Sequence, residues 1–356
     1  MRDSFGRTID YLRVSVTDRC NFRCVYCMPA DGYPVSPKDE LLTFEEIARI
    51  VRIASDLGIT KVRLTGGEPL VRKDLPSLVG MIRANSGLRD ISCTTNGFLL
   101  REMAKDLRAA GLDRANISLD TLDPEKFQRI ARRGSLAKVL DGIDAAKEAG
   151  LSPIKINCVL MAGVNSDEAA DFAAWTLRDE VHVRFIELMP IRWNMDDAEG
   201  FDGMSALAGA DGLFRLRRSE GGMLDDADMR RMMVPSDKIK RDLEARFGPV
   251  SDFDLPTNGP ARTYKLPGAK GTLGFISQIS ADLCSRCNRL RLTADGQLRP
   301  CLMSDGEVDL REAMRGGASD GEIADRILKV VAHKPERHYL AEGQKVAGRT
   351  MNQIGG

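Results

Sequence analysis

The chain has 356 residues, 43% of them apolar and 29% charged, an ordinary balance for a globular protein of one large domain or two medium ones. Its 52 Lys and Arg equal its 52 Asp and Glu, which argues against bulk electrostatic binding to nucleic acid or an anionic membrane but leaves room for a local basic pocket. No apolar run approaches about 18 residues, and the opening MRDSFGRTID lacks a signal-peptide core, so the chain reads as cytoplasmic without a membrane span.

In chain order, YLRVSV (11–16) alternates and predicts a strand. Thr43 and Glu46 form a capping box ahead of Ile47, Ile50, Val51 and Ala54 at helical spacing, and Gly58 ends that helix. KVRLT (61–65) is the next strand, and Asp74 is expected to cap a helix carrying Leu75, Leu78, Val79 and Ile82. The pattern then repeats, with strands at 91–94, 115–120, 153–161 and 181–188 and helices ending at Gly111 and Gly150 and running near 166–178. Strands alternating with helices predict a parallel α/β sheet. Period-two faces choose its shape. Arg13, Ser15 and Thr17 share one face, as do Lys61, Arg63 and Thr65, and Lys155 and Asn157; Arg184 joins them from the sixth strand. The opposite faces carry Leu12, Val14, Val62, Leu64, Ile154 and Ile156. A polar lumen with an apolar exterior under helices fits a partial (β/α)6 barrel better than a flat sheet buried on both sides.

Residues 1–190 are therefore expected to form that barrel. Residues 191–234 show no clean period and read as an insertion or long loop. From 235 to 356 a smaller region follows: a capped helix at 235–248, a hairpin across PGAKG, a second hairpin turning at Asp295-Gly296, and amphipathic helices from 308 to about 333.

Of the eight cysteines, six fall into two triads. Cys20, Cys24 and Cys27 are spaced C-x3-C-x2-C; Cys284, Cys287 and Cys301 are spaced C-x2-C-x13-C. Cys93 and Cys158 sit in apolar strand patterns and are expected in the core. A reducing compartment favours metal binding over disulfides. Three soft ligands leave two readings for each triad. One is zinc completed by a distant fourth ligand. The other is a four-iron cluster held by three thiolates, with one iron open to a substrate or cofactor. Arg289 and Arg291, between the second and third cysteines of the later triad, share a strand face, where a solvated edge strand is the plain alternative. Together with Arg13, Lys61, Arg63, Lys155 and Arg184 they are suited to a polyanion.

C-x3-C-x2-C with an aromatic before the third cysteine resembles the signature of radical S-adenosylmethionine enzymes, and TGGEP (65–69) resembles their glycine-rich segment. Within that superfamily the chain is similar to the GTP 3′,8-cyclase family of molybdenum cofactor biosynthesis from about residue 7 to the last residue, through DYLRVSVTDRCNFRCVYCMP, KVRLTGGEPL, TTNG, NISLD, IKINCVL, RFIELMP and CSRCNRLRL. The resemblance implies two [4Fe-4S] clusters, on Cys20, Cys24 and Cys27 and on Cys284, Cys287 and Cys301. It implies S-adenosylmethionine contacts from Tyr26, Gly67, Ser118 and Met189. It implies GTP contacts from Arg13, Arg63, Thr94, Lys155, Arg289 and Arg291, with Lys61 and Arg184 as further triphosphate candidates. The closing QIGG resembles the family's Gly-Gly tail, which enters the active site; a disordered end is the alternative. The implied reaction is radical abstraction of the ribose 3′ hydrogen of GTP and closure onto C8. An electron donor such as a flavodoxin, a downstream cyclic pyranopterin monophosphate synthase and a homodimer come with the family; a nucleic-acid or membrane partner does not. Two other readings stay open on the residues: a radical S-adenosylmethionine peptide modifier with an auxiliary cluster, and a non-catalytic zinc protein.

Overall fold

The computed structural model describes residues 1–189, 227–255, 259–281, 283–339 and 349–355, and the backbone alone of 206–208, 214–216 and 226. The first half alternates as expected: β1 (Tyr11–Ser15), α1 (Phe44–Asp56), β2 (Lys61–Thr65), α2 (Leu75–Arg83), β3 (Asp90–Thr95), α3 (Leu100–Ala109), β4 (Arg114–Ser118), α4 (Pro124–Ala131), α5 (Leu136–Glu148), β5 (Ile154–Leu160), α6 (Ala169–Arg178) and β6 (Val181–Glu187). The Thr43–Glu46 capping box opens α1. Asp74, expected to cap α2, makes no side-chain cap bond and adopts φ 59°. Pro76 has no N–H to offer a cap, and the next donor, Ser77 N–H, bonds the Asp74 backbone carbonyl at 3.0 Å.

Beyond β6 lie β7 (Ala206–Ala208), β8 (Phe214–Leu216), α7 (Asp226–Met232) and α8 (Ser236–Phe247). Helix α7 falls inside the stretch expected as insertion or loop; the remaining residues of that stretch, apart from β7, β8 and 233–234, are outside the described residues. Met229 and Met232 of α7 are fully buried against Val25, Ile130, Met161 and Leu188, a stripe too short to stand out beside Arg230 and Arg231. The expected helix at 235–248 is capped from afar: the Glu187 carboxylate, at the end of β6, accepts from the Ser236 backbone N–H at 3.0 Å. The remainder is β9 (Ser251–Asp252), β10 (Arg262–Lys265), β11 (Thr272–Ile276), β12 (Arg289–Leu292), β13 (Gln297–Arg299), β14 (Val308–Asp309), α9 (Arg311–Arg315), α10 (Asp320–Ala332) and α11 (Met351–Ile354).

The main sheet runs β14-β13-β12-β1-β2-β3-β4-β5-β6-β11-β10-β9. Strands β12 and β11 pair parallel to β1 and β6, so the later region extends both ends of the six-strand arc. The arc stays open, as a partial barrel does, and β12 is an interior strand between β1 and β13 rather than a solvated edge. Its apolar face (Leu12, Val14, Val62, Leu64, Ile91, Ile117, Ile156) is buried with the helices in one core, which includes Cys93 and Cys158 and continues into Ile323, Ile327, Val330 and Val331 of α10. Among the described residues, no helix is long and apolar enough to cross a membrane.

Candidate functional site

Register places the cations side by side. Residues paired across parallel strands point to one face. One row runs Arg291, Arg13, Arg63, Ser92, Arg114 across β12, β1, β2, β3 and β4. A second runs Thr94, Asn116, Lys155, His182, and a third runs Ser118, Asn157, Arg184, Gly274. Gly274 is glycine because a Cβ there would come 2.8 Å from the Arg184 side chain. Arg13, Arg63, Arg184 and Arg291 are each at most 8% exposed. The partners of three of them are neutral oxygens: Ser92 Oγ for Arg63 (3.3 Å), Asn116 Oδ1 for Arg184 (2.7 Å) and the Gly355 carbonyl for Arg291 (2.7 Å). Burial, with repulsion from neighbouring arginines, lowers Arg184 and Arg291 to about 9. Cations held this way favour an anion.

A cavity of about 260 Å³ opens along this face. It is lined by Arg13, Arg63, Thr94, Arg184, Arg289 and Arg291, and also by Cys20, Cys24, Tyr26, Cys27, Gly67, Ser118 and Met189. The residues singled out for the nucleotide and for S-adenosylmethionine therefore share one chamber, with two exceptions. Lys155 stands on the same face as Asn157, two residues nearer the start of β5, and is 2% exposed. Burial, then Arg184, Arg114 and Arg63, lowers it to about 5. Lys61 lies at the start of β2, half-buried and paired with Asp10 at 3.4 Å, and does not line the chamber. The buried hydroxyls of Tyr11 and Thr94 and the Asn157 amide oxygen line it without a hydrogen-bond partner among the described residues.

The first cysteine loop is held by backbone contacts. Gly67 N donates to Thr17 O (2.8 Å) and Glu68 N to Arg19 O (2.8 Å). A Cβ on Gly67 would lie 2.3 Å from the Arg19 carbonyl oxygen, and one on Gly66, at φ +147°, 2.2 Å from that of Thr17. The two glycines of TGGEP thus let the loop before Cys20 lie directly on the end of β2. Glu68 locks the motif to β3 by accepting from Leu70 N, Thr95 Oγ1 and Asn96 N at 3.0, 2.7 and 2.6 Å. Phe22 packs edge-on to Phe98 and Phe127 at 5.8 and 5.6 Å. Tyr26 donates to Asp120 Oδ2 at 2.7 Å, and Asp120 Oδ1 accepts from Val159 N at 2.8 Å. Glu68, Asp120 and Asn96 line the chamber and are among the polar residues that motif spacing alone did not single out, although each lies in a quoted motif.

Burial pushes Cys20 up to about 11 and Cys27 to about 12, with Cys24 also raised. Buried thiols of this kind become thiolates when the bound group brings its own positive charge, as iron does. At the second triad burial also pushes Cys287 up, but Arg289 and Lys334 outweigh it and bring the thiol down to about 6. Backbone N–H groups of Phe22 and Met303 reach the Cys20 and Cys301 sulfurs at 3.4 Å each. Among the described residues, no three His, Cys, Asp or Glu side chains converge as a ready-made site for one metal ion. Thiolates on separate irons of a cluster need no such convergence. The donor set fits the cluster reading.

The tail closes the chamber. Asn352 Nδ2 donates to Asp18 O (2.8 Å), and Arg13 and Arg291 donate to the Gly355 carbonyl at 2.9 and 2.7 Å. Gly355 adopts φ +64°, and a Cβ there would meet Thr65 Cγ2 at 2.5 Å. Gly356 lies outside the described residues.

Comparison with known proteins agrees with this geometry. Residues 14–176 match the family model described as radical SAM superfamily, and 221–340 match Molybdenum Cofactor Synthesis C. GTP 3′,8-cyclases of Thermodesulfovibrio yellowstonii and Moorella thermoacetica are each 45% identical over 357 residues, covering 100% of both chains. That of Heliobacterium modesticaldum is 47% identical over 358 residues, again 100% of both. The crystal structure of Streptococcus suis SuiB bound to S-adenosylmethionine superposes on 95% of this chain and 66% of its own, with a TM-score of 0.53 and 14% identity, a likeness of fold alone. With relatives this similar along its whole length, the chain belongs to the GTP 3′,8-cyclase family of radical S-adenosylmethionine enzymes.

Proposed function

We propose that this chain converts GTP to (8S)-3′,8-cyclo-7,8-dihydroguanosine 5′-triphosphate, the first step of molybdenum cofactor biosynthesis. The observation that carries it is a single chamber lined by Cys20, Cys24 and Cys27 and by an arginine row that continues into β12, which begins two residues beyond Cys287; Cys284, Cys287 and Cys301 themselves are not among its lining residues. Cys20, Cys24 and Cys27 hold one [4Fe-4S] cluster and Cys284, Cys287 and Cys301 the other. When bound, the first cluster and S-adenosylmethionine would supply a 5′-deoxyadenosyl radical to take the ribose 3′ hydrogen of GTP as 5′-deoxyadenosine; C3′ would bond to C8, and one electron with one proton would return to the purine, leaving the nucleotide's mass unchanged.

The protein's part is positioning and charge. Tyr26, Gly67, Ser118 and Met189 hold S-adenosylmethionine beside the first triad. Arg13, Arg63, Lys155 and Arg184 neutralise the triphosphate, with Lys61 in reserve at the strand start; Thr94, Arg289 and Arg291 orient the nucleoside toward the second triad. The buried, unpartnered Thr94 hydroxyl supports its role. Gly355 keeps Arg13 and Arg291 aimed inward. Residues 1–190 act as the barrel and 235–356 as the auxiliary-cluster region. The setting is cytoplasmic, with a flavodoxin-like electron donor, a cyclic pyranopterin monophosphate synthase downstream and a homodimer as the assembly to examine.

The test is anaerobic turnover after reconstitution with iron and sulfide. Conversion of GTP to an isomer of unchanged mass together with 5′-deoxyadenosine is the expected result; 5′-deoxyadenosine with GTP intact removes the substrate assignment.

A further inference from the structure

Outside the motifs, two buried cations are placed on the backbone of the second cysteine triad. Lys334 follows α10, is 3% exposed, and carries its ammonium into the interior. Its Nζ donates to the carbonyl of Arg289 at 3.0 Å and to that of Pro300 at 2.5 Å. Arg289 is two residues beyond Cys287, and Pro300 immediately precedes Cys301. One ammonium therefore ties together the Cys287 and Cys301 arms of the triad. Arg7 holds the third arm by donating to the Cys284 carbonyl at 2.8 Å. It is aimed by Asp3 at 2.6 Å and also donates to the carbonyls of Pro335 and Glu336, both at 2.7 Å, so it grips the segment that carries Lys334. Both Cys287 and Cys301 lie within the electrostatic reach of Lys334.

A buried ammonium costs several kcal/mol unless its surroundings repay it. Two carbonyls satisfy two of its three donors, and no carboxylate among the described residues pairs with its charge. Thiolates of a metal-loaded triad supply the missing negative charge. An apolar side chain of similar length would fill the same space at lower cost if packing were all that the position required.

We propose that Lys334 is a positioning residue of the second cluster: it clasps the Cys287 and Cys301 arms at one point and places a fixed positive charge beside their sulfurs, raising the cluster's reduction potential. The inference rests on reading Cys284, Cys287 and Cys301 as an iron–sulfur site. A positive charge beside a cluster stabilises its reduced, more negative form, and second-layer contacts of this kind tune metal sites generally.

The experiment compares the parent full chain with Lys334→Met and Lys334→Arg after identical anaerobic reconstitution. Iron and sulfide per chain, the reduced-state electron paramagnetic resonance spectrum and a redox titration of each cluster are recorded. In Lys334→Met, the expected result is a lower midpoint potential and an altered spectrum for the second cluster, or its loss, with the first cluster unchanged; Lys334→Arg, which keeps the charge, returns the potential toward the parent value. A second cluster with unchanged potential and spectrum in Lys334→Met overturns the inference. So does equal loss of both clusters in both variants, which marks a residue needed only for folding. If the parent itself takes up iron for one cluster, the reading of the triad fails, and the inference falls with it for that separate reason.

Discussion

Lys155 offers a sharp test of where the triphosphate sits. Burial and three nearby arginines bring its pKa to about 5, so at pH 7 about 99% of it is neutral in the free protein. A phosphate charge about 4 Å away is worth about 4 kcal/mol at an effective dielectric of about 20, which lifts the pKa by about 3 and past neutrality. Nucleotide binding at pH 7 then takes up close to one proton. The sign follows: the bound state holds the proton and the free state does not, so affinity falls as pH rises above 5, by up to about tenfold per pH step until the bound lysine deprotonates. Titration calorimetry with GTP at pH 7 in phosphate and in Tris buffer reads the uptake as a buffer-dependent heat. In Lys155→Met that uptake disappears, while the nucleotide's own phosphate titration appears in both proteins and cancels. Equal buffer dependence in the two proteins would place the triphosphate away from Lys155 and refute the reasoning.

Three further outcomes follow from the geometry. Gly67→Ala forces a Cβ to within 2.3 Å of the Arg19 carbonyl oxygen, so it should cost about 1–3 kcal/mol by thermal melting and reduce iron bound by the first triad; Gly80→Ala, on open space in the interior of α2, should leave the iron unchanged and raise stability by about 0.5–1 kcal/mol. Gly355→Ala places a side chain at φ +64° against Thr65 and withdraws the carbonyl that Arg13 and Arg291 share; GTP turnover should fall at least about tenfold, the equivalent of about 1.4 kcal/mol, with a nearly unchanged melting temperature. Tyr26→Phe removes the donor to Asp120, which burial raises from 3.8 to about 6. For an acid raised in this way, stability falls as pH climbs from 3.8 to 6, and the lost bond matters most once the carboxylate is ionised. The melting-temperature loss should therefore be larger at pH 8 than at pH 5, on the scale of about 1.5–3 kcal/mol for a bond to a charged group.

Local chemistry was readable in the sequence and nonlocal closure was not. The cysteine loop, TGGEP and the Thr43–Glu46 cap are each built from residues within a few positions of one another, and the strand faces follow period two directly. Asp74 misled because it adopts φ 59° and because Ser77 N–H, the donor that Pro76 leaves in the first turn, bonds its backbone carbonyl rather than its side chain. Helix α7 was hidden because its burial is decided by Val25, Ile130 and Leu188. The placement of Arg289 and Arg291 beside Arg13 depends on β12 pairing with β1 across more than half the chain, which no local pattern encodes. Lys61 shares a face with Arg63, but its position at the start of β2 gives it to Asp10. Lys334 and Arg7 bind backbone carbonyls, and such contacts leave no motif to find.

The most direct measurement follows a single hydrogen. GTP carrying deuterium at the ribose 3′ position is incubated anaerobically with the reconstituted protein, reductant and S-adenosylmethionine, and the 5′-deoxyadenosine is weighed by mass spectrometry. The proposed function predicts 5′-deoxyadenosine heavier by one mass unit and a cyclised nucleotide lacking the label. Unlabelled 5′-deoxyadenosine with the deuterium still in GTP would contradict it.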